Sequence, residues 1–416
     1  MLATPRHAKL LYTGDGLKSM RDARDLKASI RQKALMQGVY SDIRIVDVTR
    51  VLAGPYATMI LAQLGAEVIK VEAPDGEDSR RLPPFWGGES TTYLAVNQNK
   101  KSVALDLKQV AALESLRRII DRSDVFIESF KPGTAERLGL GYDELVKRNP
   151  KLIYCSISAF GPGPLGKDMP GYDALLQAFS GILKSTGHPG QPPARIGPSA
   201  IDLSSGMWAT IQIMAALAKR ERATGPQKLE VALIDASLNL MCHQVMTALA
   251  TGRSPEPQGS GAPSVAPYEV FQVGDGELMV AAGNDKLFRQ LCREVGLADL
   301  PSDPRFCDMA GRVDNRNALH AIVEERLKTD TADNWLDRLG KAGVPAGRMN
   351  GIADAIADPL VAERALIVPC PTEANPDLKL LRLPLGPLSV EPTPPPSLGQ
   401  HTEEILLSTA SGVRPG

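Results

Sequence analysis

Two hydrophobic periods alternate along the chain from residue 43. Ile43–Val48 (IRIVDV) is an apolar run of strand length, Tyr56, Ile60, Leu61 and Leu64 recur at helical spacing over Gly54–Leu64, and Ala66–Val71 (AEVIKV) is apolar again. The alternation predicts a further strand at Ser102–Leu107, a helix at Val110–Ile120, a strand at Asp124–Ile127, short helices around Ala135 and over Tyr142–Val146, and a strand at Leu152–Ser158. Strands separated by helices predict an α/β fold with a mainly parallel sheet covered by helices.

The pattern then loosens. Phe160–Tyr172 (FGPGPLGKDMPGY) is too rich in Gly and Pro for regular structure and reads as a functional loop. Helical spacing resumes over Asp173–Leu183 and Ser205–Lys219, and a long apolar helix is expected over Val231–Thr251, ending in the turn-rich RSPEPQGSGAPS. That segment is the candidate domain boundary. Beyond it, Tyr268–Val273 and Glu277–Ala281 flank Gly274-Asp275-Gly276 as a hairpin, with helices expected at Lys286–Val295 and Arg316–Lys328. Pro384–Pro396 is expected to run extended before a last helix at Thr402–Leu407.

Composition narrows the class of protein. The 416 residues suffice for two or three domains, and 47 Lys+Arg against 48 Asp+Glu leave a charge of −1, unlike a nucleic-acid binder. No stretch approaches the ~18 apolar residues of a membrane span. The cysteines, Cys155, Cys242, Cys292, Cys307 and Cys370, are odd in number and form no CxxC pair, so free thiols in a reducing compartment are expected. No two of the five histidines are four apart, so no metal centre is expected. Residues 1–40 hold eight Lys/Arg against three Asp, and Leu17, Met20, Ala23, Leu26, Ile30 and Ala34 repeat at helical spacing. This basic extension fits a mitochondrial targeting segment, with a solvated helix on a cytoplasmic protein as the alternative.

Ligands of open α/β sheets bind at the carboxyl ends of the strands. The first such turn, Thr49–Pro55, holds only Gly54 of the three glycines a dinucleotide fingerprint needs, so NAD-type binding is disfavoured. Asp202, in AIDLSSG, lies at the start of a helix near backbone N–H groups. Two roles are open to it: capping that helix, as Ser204 would also do, or attacking an activated acyl group as a nucleophile. Tyr172-Asp173 begins a helix, where such a pair is more often a structural start than a substrate-orienting pair. Lys100, Lys101, Lys108, Lys131 and Arg137 fall in turns or at element ends; they are either solvated surface cations or a set suited to phosphates.

The ordered stretches VDVTRVLAGPYATMILAQLGAEVIKVE, NQNKKSVALDLK, DVFIESFKPGTAERLGLGYDEL, IYCSISAFGPGP, PGYDALLQAFSG, AIDLSSG, VALIDASLNL, APYEVFQVGDG and LGQHTEEIL resemble the class III CoA-transferase (CaiB/BaiF) family, from about Ile43 to Leu407. That family also holds the α-methylacyl-CoA racemases. The resemblance implies a large Rossmann-like domain from 41–233 and 330–416, a linker helix at 234–254, a smaller inserted α+β domain at 255–329, and two chains interlocked as a homodimer. It carries the nucleophile to Asp202. CoA contacts carry over to Val51, Leu52 and Ala53, to Leu105 and Lys108, to Ser129, Phe130 and Lys131, to Arg137, and to Tyr172 and Asp173. Ala73 replaces an Arg that binds CoA in one branch.

The chemistry so implied moves CoA from an acyl-CoA to a small free carboxylic acid through an aspartyl anhydride and an aspartyl-CoA thioester. Backbone N–H groups near Gly206 would stabilise the oxyanions. CoA thioesters are substrates, and no permanently bound cofactor is expected. The racemase branch has His where Tyr172 stands, so transfer is favoured over racemisation, and a non-catalytic CoA-binding protein is the alternative of another class. TRVLAGPYATM, NKKSVALDLK and APYEVF are most similar to the succinyl-CoA:dicarboxylate (glutarate/citramalate) branch. The glycine run of the oxalate branch is missing, so oxalate chemistry is less expected. Arg195 is either an exposed loop residue or a clamp for the acceptor's distal carboxylate.

Overall fold

The structure, a computed structural model, describes residues 38–220 and 225–411. The helical pattern from Leu17 to Ala34 lies outside them. The described residues divide into two compact units, one holding the chain up to Ile157, Ser205–Val231 and everything from Leu366, the other Ser158–Ser204 and Ala232–Ala365. The divisions thus fall at 157/158, 204/205, 231/232 and 365/366, whereas the expected domain edges are 233/234, 254/255 and 329/330.

The first unit is built on a six-stranded sheet. Its strands are β1 (Arg44–Asp47), β2 (Glu67–Glu72), β3 (Lys100–Ala104), β4 (Val125–Glu128), β5 (Ile153–Ser158) and β6 (Gln227–Ala232), in the order β3-β2-β1-β4-β5-β6. Four neighbouring pairs run parallel: β1 with β2, β1 with β4, β2 with β3 and β4 with β5. This is the doubly wound order, whose direction of travel reverses between β1 and β4. Strand residues such as Val46, Ile69, Val103 and Phe126 are fully buried on a face covered by Leu116, Ile119 and Ile120, which explains their near-continuous apolar runs. The chain end returns to this unit: Leu383 joins Met59, Ile60 and Leu64, and Ile405 joins the sheet core.

Two sequence expectations are corrected here. β3 begins at Lys100, two residues before the expected Ser102, because it pairs with β2 from Val68 opposite Lys100 to Glu72 opposite Ala104. The Lys100 Nζ that argued for a turn is buried on the Asp47 carboxylate at 3.1 Å, so the lysine sits inside the sheet. The long helix expected over Val231–Thr251 is instead the end of β6 followed by helices Leu233–Leu240 and Cys242–Thr251. Val231 and Ala232 are apolar because the sheet buries them.

In the second unit, β7 (Tyr268–Val273) and β8 (Gly276–Ala281) form the expected hairpin, with Val273 opposite Gly276. A third strand, β9 (Ala346–Arg348), pairs antiparallel with β8. Phe271, Leu278 and Val280 meet Phe288, Leu291, Leu319, Val323, Trp335 and Leu339 in one core. Residues 332–348 belong here because Trp335, Leu339 and Val344 complete that core, a tertiary fact without a signal in a three-residue strand.

Candidate functional site

The second unit carries a pair of carboxylates. Helix α1 (Asp173–Ser180) starts directly after the irregular segment 159–172 and stops at Gly181, whose φ of 93° an L side chain rarely adopts. Asp173, in its first turn, is buried. Its Oδ2 accepts the Ile201 N–H at 2.9 Å and the Asp202 N–H at 3.3 Å, while its Oδ1 accepts from Gln177 Nε2 at 2.6 Å. Helix α2 (Ala200–Arg220) therefore takes the cap for its first-turn amides from another helix. Neither residue expected as its cap fills that role: Asp202 lies inside the first turn, and Ser204 Oγ donates to the Ile201 carbonyl at 3.0 Å. Gly206 lies a turn further in, where amides belong to the helical ladder, so N–H groups there are not free to meet an oxyanion.

Burial raises the Asp202 pKa to about 7, with the Asp173 charge adding to the rise and the Arg195 guanidinium opposing it. Arg195 reaches Asp173 Oδ1 at 3.7 Å and donates to Ser199 Oγ at 3.3 Å, and about half of its side chain stays open to solvent. Gln177, fully buried, accepts the Ile196 N–H at 3.0 Å and so ties the Arg195 loop to Asp173. Two adjacent carboxylates held differently divide their roles: one fixes backbone, the other is a half-ionised, unusually basic oxygen at neutral pH. Tyr172 precedes them with its side chain largely in solvent.

The remaining candidates lie in the first unit, at the carboxyl ends of its strands. Val51, Leu52 and Ala53 follow β1, Leu105 and Lys108 follow β3, and Ser129, Phe130 and Lys131 follow β4. The order β3-β2-β1-β4 sets these turns along one sheet edge, and the turns after β1 and β4 flank the reversal point. Lys108, Lys131 and Arg137 are exposed, and Arg137 donates to Thr134 Oγ1 at 2.8 Å. Phe130 N–H is held by the buried Glu128 carboxylate at 2.7 Å, and burial raises the Glu128 pKa. Lys100 and Lys101 leave the proposed phosphate set. The first is buried on Asp47, and the second pairs with Glu67 at 3.1 Å and Glu404 at 2.9 Å.

Sequence reasoning missed the groups that hold these positions. Gln177 gave no signal in a helix of mixed polarity. Asp47, Lys70, Glu72 and Glu77 are buried near the start of this edge, and the charged letters inside the apolar runs IRIVDV and AEVIKV were the available clue. Among the described residues there is no group of three His, Cys, Asp or Glu able to hold a metal, and no helix is long and apolar enough to cross a membrane.

A doubly wound sheet without a dinucleotide turn defines an α/β protein, and its second unit carries a half-buried carboxylate of raised pKa at a helix start. Residues 40–402 match the model of CoA-transferase family III. An acetyl-CoA:oxalate CoA-transferase from Acetobacter aceti is 39% identical over 80% of this chain and 86% of its own. A succinate–glutarate CoA-transferase from Agrobacterium fabrum is 37% identical over 88% and 94%. A solved CaiB/BaiF family protein from Brucella suis superposes with a TM-score of 0.79 at 36% identity, covering 88% of this chain and 98% of that one. The chain belongs to CoA-transferase family III and is a CoA-transferase, with CoA thioesters and carboxylates as its substrates.

Proposed function

We propose that this chain moves CoA from succinyl-CoA to a short dicarboxylate, with Asp202 as the nucleophile. The carrying observation is the environment of Asp202: half-buried in the first turn of α2, beside Asp173, with a pKa raised to about 7. An Asp202 carboxylate oxygen attacks the thioester carbonyl, the C–S bond breaks, and an aspartyl anhydride and CoA thiolate result. The thiolate attacks the Asp202 acyl carbon, releasing succinate and leaving an aspartyl-CoA thioester. The acceptor carboxylate attacks that thioester, forming a second anhydride and freeing the thiolate again. Attack of the thiolate on the acceptor's acyl carbon yields the new thioester and restores Asp202. One thioester replaces another, so no nucleotide triphosphate is consumed.

Val51, Leu52, Ala53, Leu105, Lys108, Ser129, Phe130, Lys131 and Arg137 are read as the CoA-binding set, with Tyr172 and Asp173 at the acyl end. Two chains are read as a homodimer, and residues 1–40 as a mitochondrial address. Succinyl-CoA and a dicarboxylate are supported by the A. fabrum relative, which is matched over nearly its whole length. The similarity to the acetyl-CoA:oxalate enzyme favours a second reading, in which oxalate is the acceptor, against the expectation from the missing glycine run.

The test combines trapping with a substrate panel. Acyl-CoA is added, the reaction is quenched, and peptides are mapped by mass spectrometry. A CoA adduct on the Asp202 peptide, absent in Asp202→Asn, supports the mechanism; an adduct on another residue overturns it. Succinyl-CoA and acetyl-CoA are then offered with glutarate, citramalate and oxalate. Exchange confined to acetyl-CoA with oxalate would replace the reading of succinyl-CoA as donor and glutarate or citramalate as acceptor.

A further inference from the structure

The turn after β1 holds a β-branched residue in a conformation that such residues avoid. Val51 has φ = 69°, in the left-handed region, where its branched Cβ crowds the backbone. Its amide donates to Glu77 Oε2 at 2.9 Å. Glu77 is a buried carboxylate, and every nearby contact fixes it: Ser79 N–H at 3.2 Å on Oε2, Ser79 Oγ at 2.8 Å and Lys70 Nζ at 3.2 Å on Oε1. Lys70 Nζ also donates to the Thr49 carbonyl at 3.1 Å. Asp47 Oδ1 takes the Thr49 N–H at 2.9 Å, and Asp47 Oδ2 takes Lys100 Nζ, which donates to the Pro55 carbonyl at 2.8 Å as well. Asp47, Lys70, Glu77 and Lys100 thus sum to zero charge and grip the turn at Thr49, Val51 and Pro55.

Four buried charges are an expensive way to support a fold, since apolar side chains of the same volume often stabilise as much. Several of their hydrogen bonds end on the backbone of one turn, and one holds its strained residue. We infer that Glu77 is a positioning residue for acyl-CoA binding: by accepting the Val51 N–H it holds Val51 in its left-handed conformation and so sets the 51–53 turn that meets the ligand. The inference rests on the reading of Val51, Leu52 and Ala53 as CoA contacts.

A double-mutant cycle with Val51→Gly tests it, because Gly adopts positive φ without strain and does not need the carboxylate. Glu77→Gln keeps the shape but weakens a charge-assisted bond to a neutral one. In the native Val51 background it should raise KM for acyl-CoA about tenfold and leave kcat within about twofold; in the Val51→Gly background the KM cost should fall to about twofold. Equal costs in both backgrounds, or a loss confined to kcat, overturn the inference. Should Glu77→Gln fail to fold, the cycle is run with Ser79→Ala, which removes one bond orienting the carboxylate and should raise KM about threefold in the native Val51 background alone. Hydrogen exchange of the native chain separates the two levels. Protection of the 49–56 peptide by CoA together with equal cycle costs overturns Glu77 positioning alone, and absence of protection removes the CoA-contact reading and the inference with it.

Discussion

Replacing Asp202 by Asn should stabilise this protein in a pH-dependent way. The native carboxyl holds its proton up to about pH 7, whereas in the unfolded chain it releases it near its ordinary 3.8. Between those values the native state binds more protons, so this residue's contribution to stability falls as pH rises from about 4 to 7 and stays low above. A difference of about three pKa units at 1.36 kcal/mol each makes the penalty about 4 kcal/mol at pH 8. Burial dominates it, with Asp173 adding and Arg195 subtracting. The amide of Asp202→Asn does not titrate and escapes the whole penalty. Urea unfolding of both proteins, at one fixed protein concentration, should show equal stability at pH 4 and a variant more stable by up to about 4 kcal/mol at pH 8. A difference independent of pH, or a variant less stable at pH 8, would refute the reasoning. The native residue would then not be held in a desolvated, like-charged setting. For the nucleophile proposed at this position, such a cost would be the usual trade between activity and stability.

Asp173→Asn keeps an oxygen for the Ile201 amide but removes the neighbouring charge, so the pH midpoint of adduct formation on Asp202 should move below 7; an unchanged midpoint would leave burial as the sole cause. Lys100→Met leaves Asp47 short of the ammonium that, with Lys70, holds its pKa at about 2 against burial, and should cost about 3–5 kcal/mol by urea unfolding. A loss under about 1 kcal/mol would mean that Lys70 alone neutralises Asp47. Gly206→Ala would place a Cβ 2.6 Å from the Ala53 carbonyl oxygen, where α2 packs on the helix Ala53–Gln63, and should destabilise by about 1–3 kcal/mol; thermal unfolding at neutral pH reads it.

Much of the first unit was legible because burial on a parallel sheet writes itself into composition. Val110–Ile120 was expected and found with the same ends, and β1, β2, β4 and β5 fall within one or two residues of their apolar runs. Errors came where one signal had two causes. The Lys100-Lys101 pair resembles a turn, yet Lys100 is neutralised inside the sheet by an aspartate 53 residues away. Val231-Ala232 looks like the start of a helix because buried strand ends and buried helices are equally apolar. In the site, Asp202 was visible as a carboxylate at a helix start, while the residue that caps that helix, Asp173, lies 29 positions earlier and has no local signature.

Strands β1, β2, β4 and β5, the hairpin at Gly274-Asp275-Gly276 and the place of Asp202 at the start of a helix were legible in the sequence alone, since each depends on neighbours a few residues away. Tertiary structure decided the electrostatic state of those residues. Whether a charge is solvated, paired or stranded beside a like charge depends on groups tens or hundreds of positions distant. That is why Asp47 is held near 2 while Asp202 rises to about 7, although both are aspartates beside apolar residues in the chain.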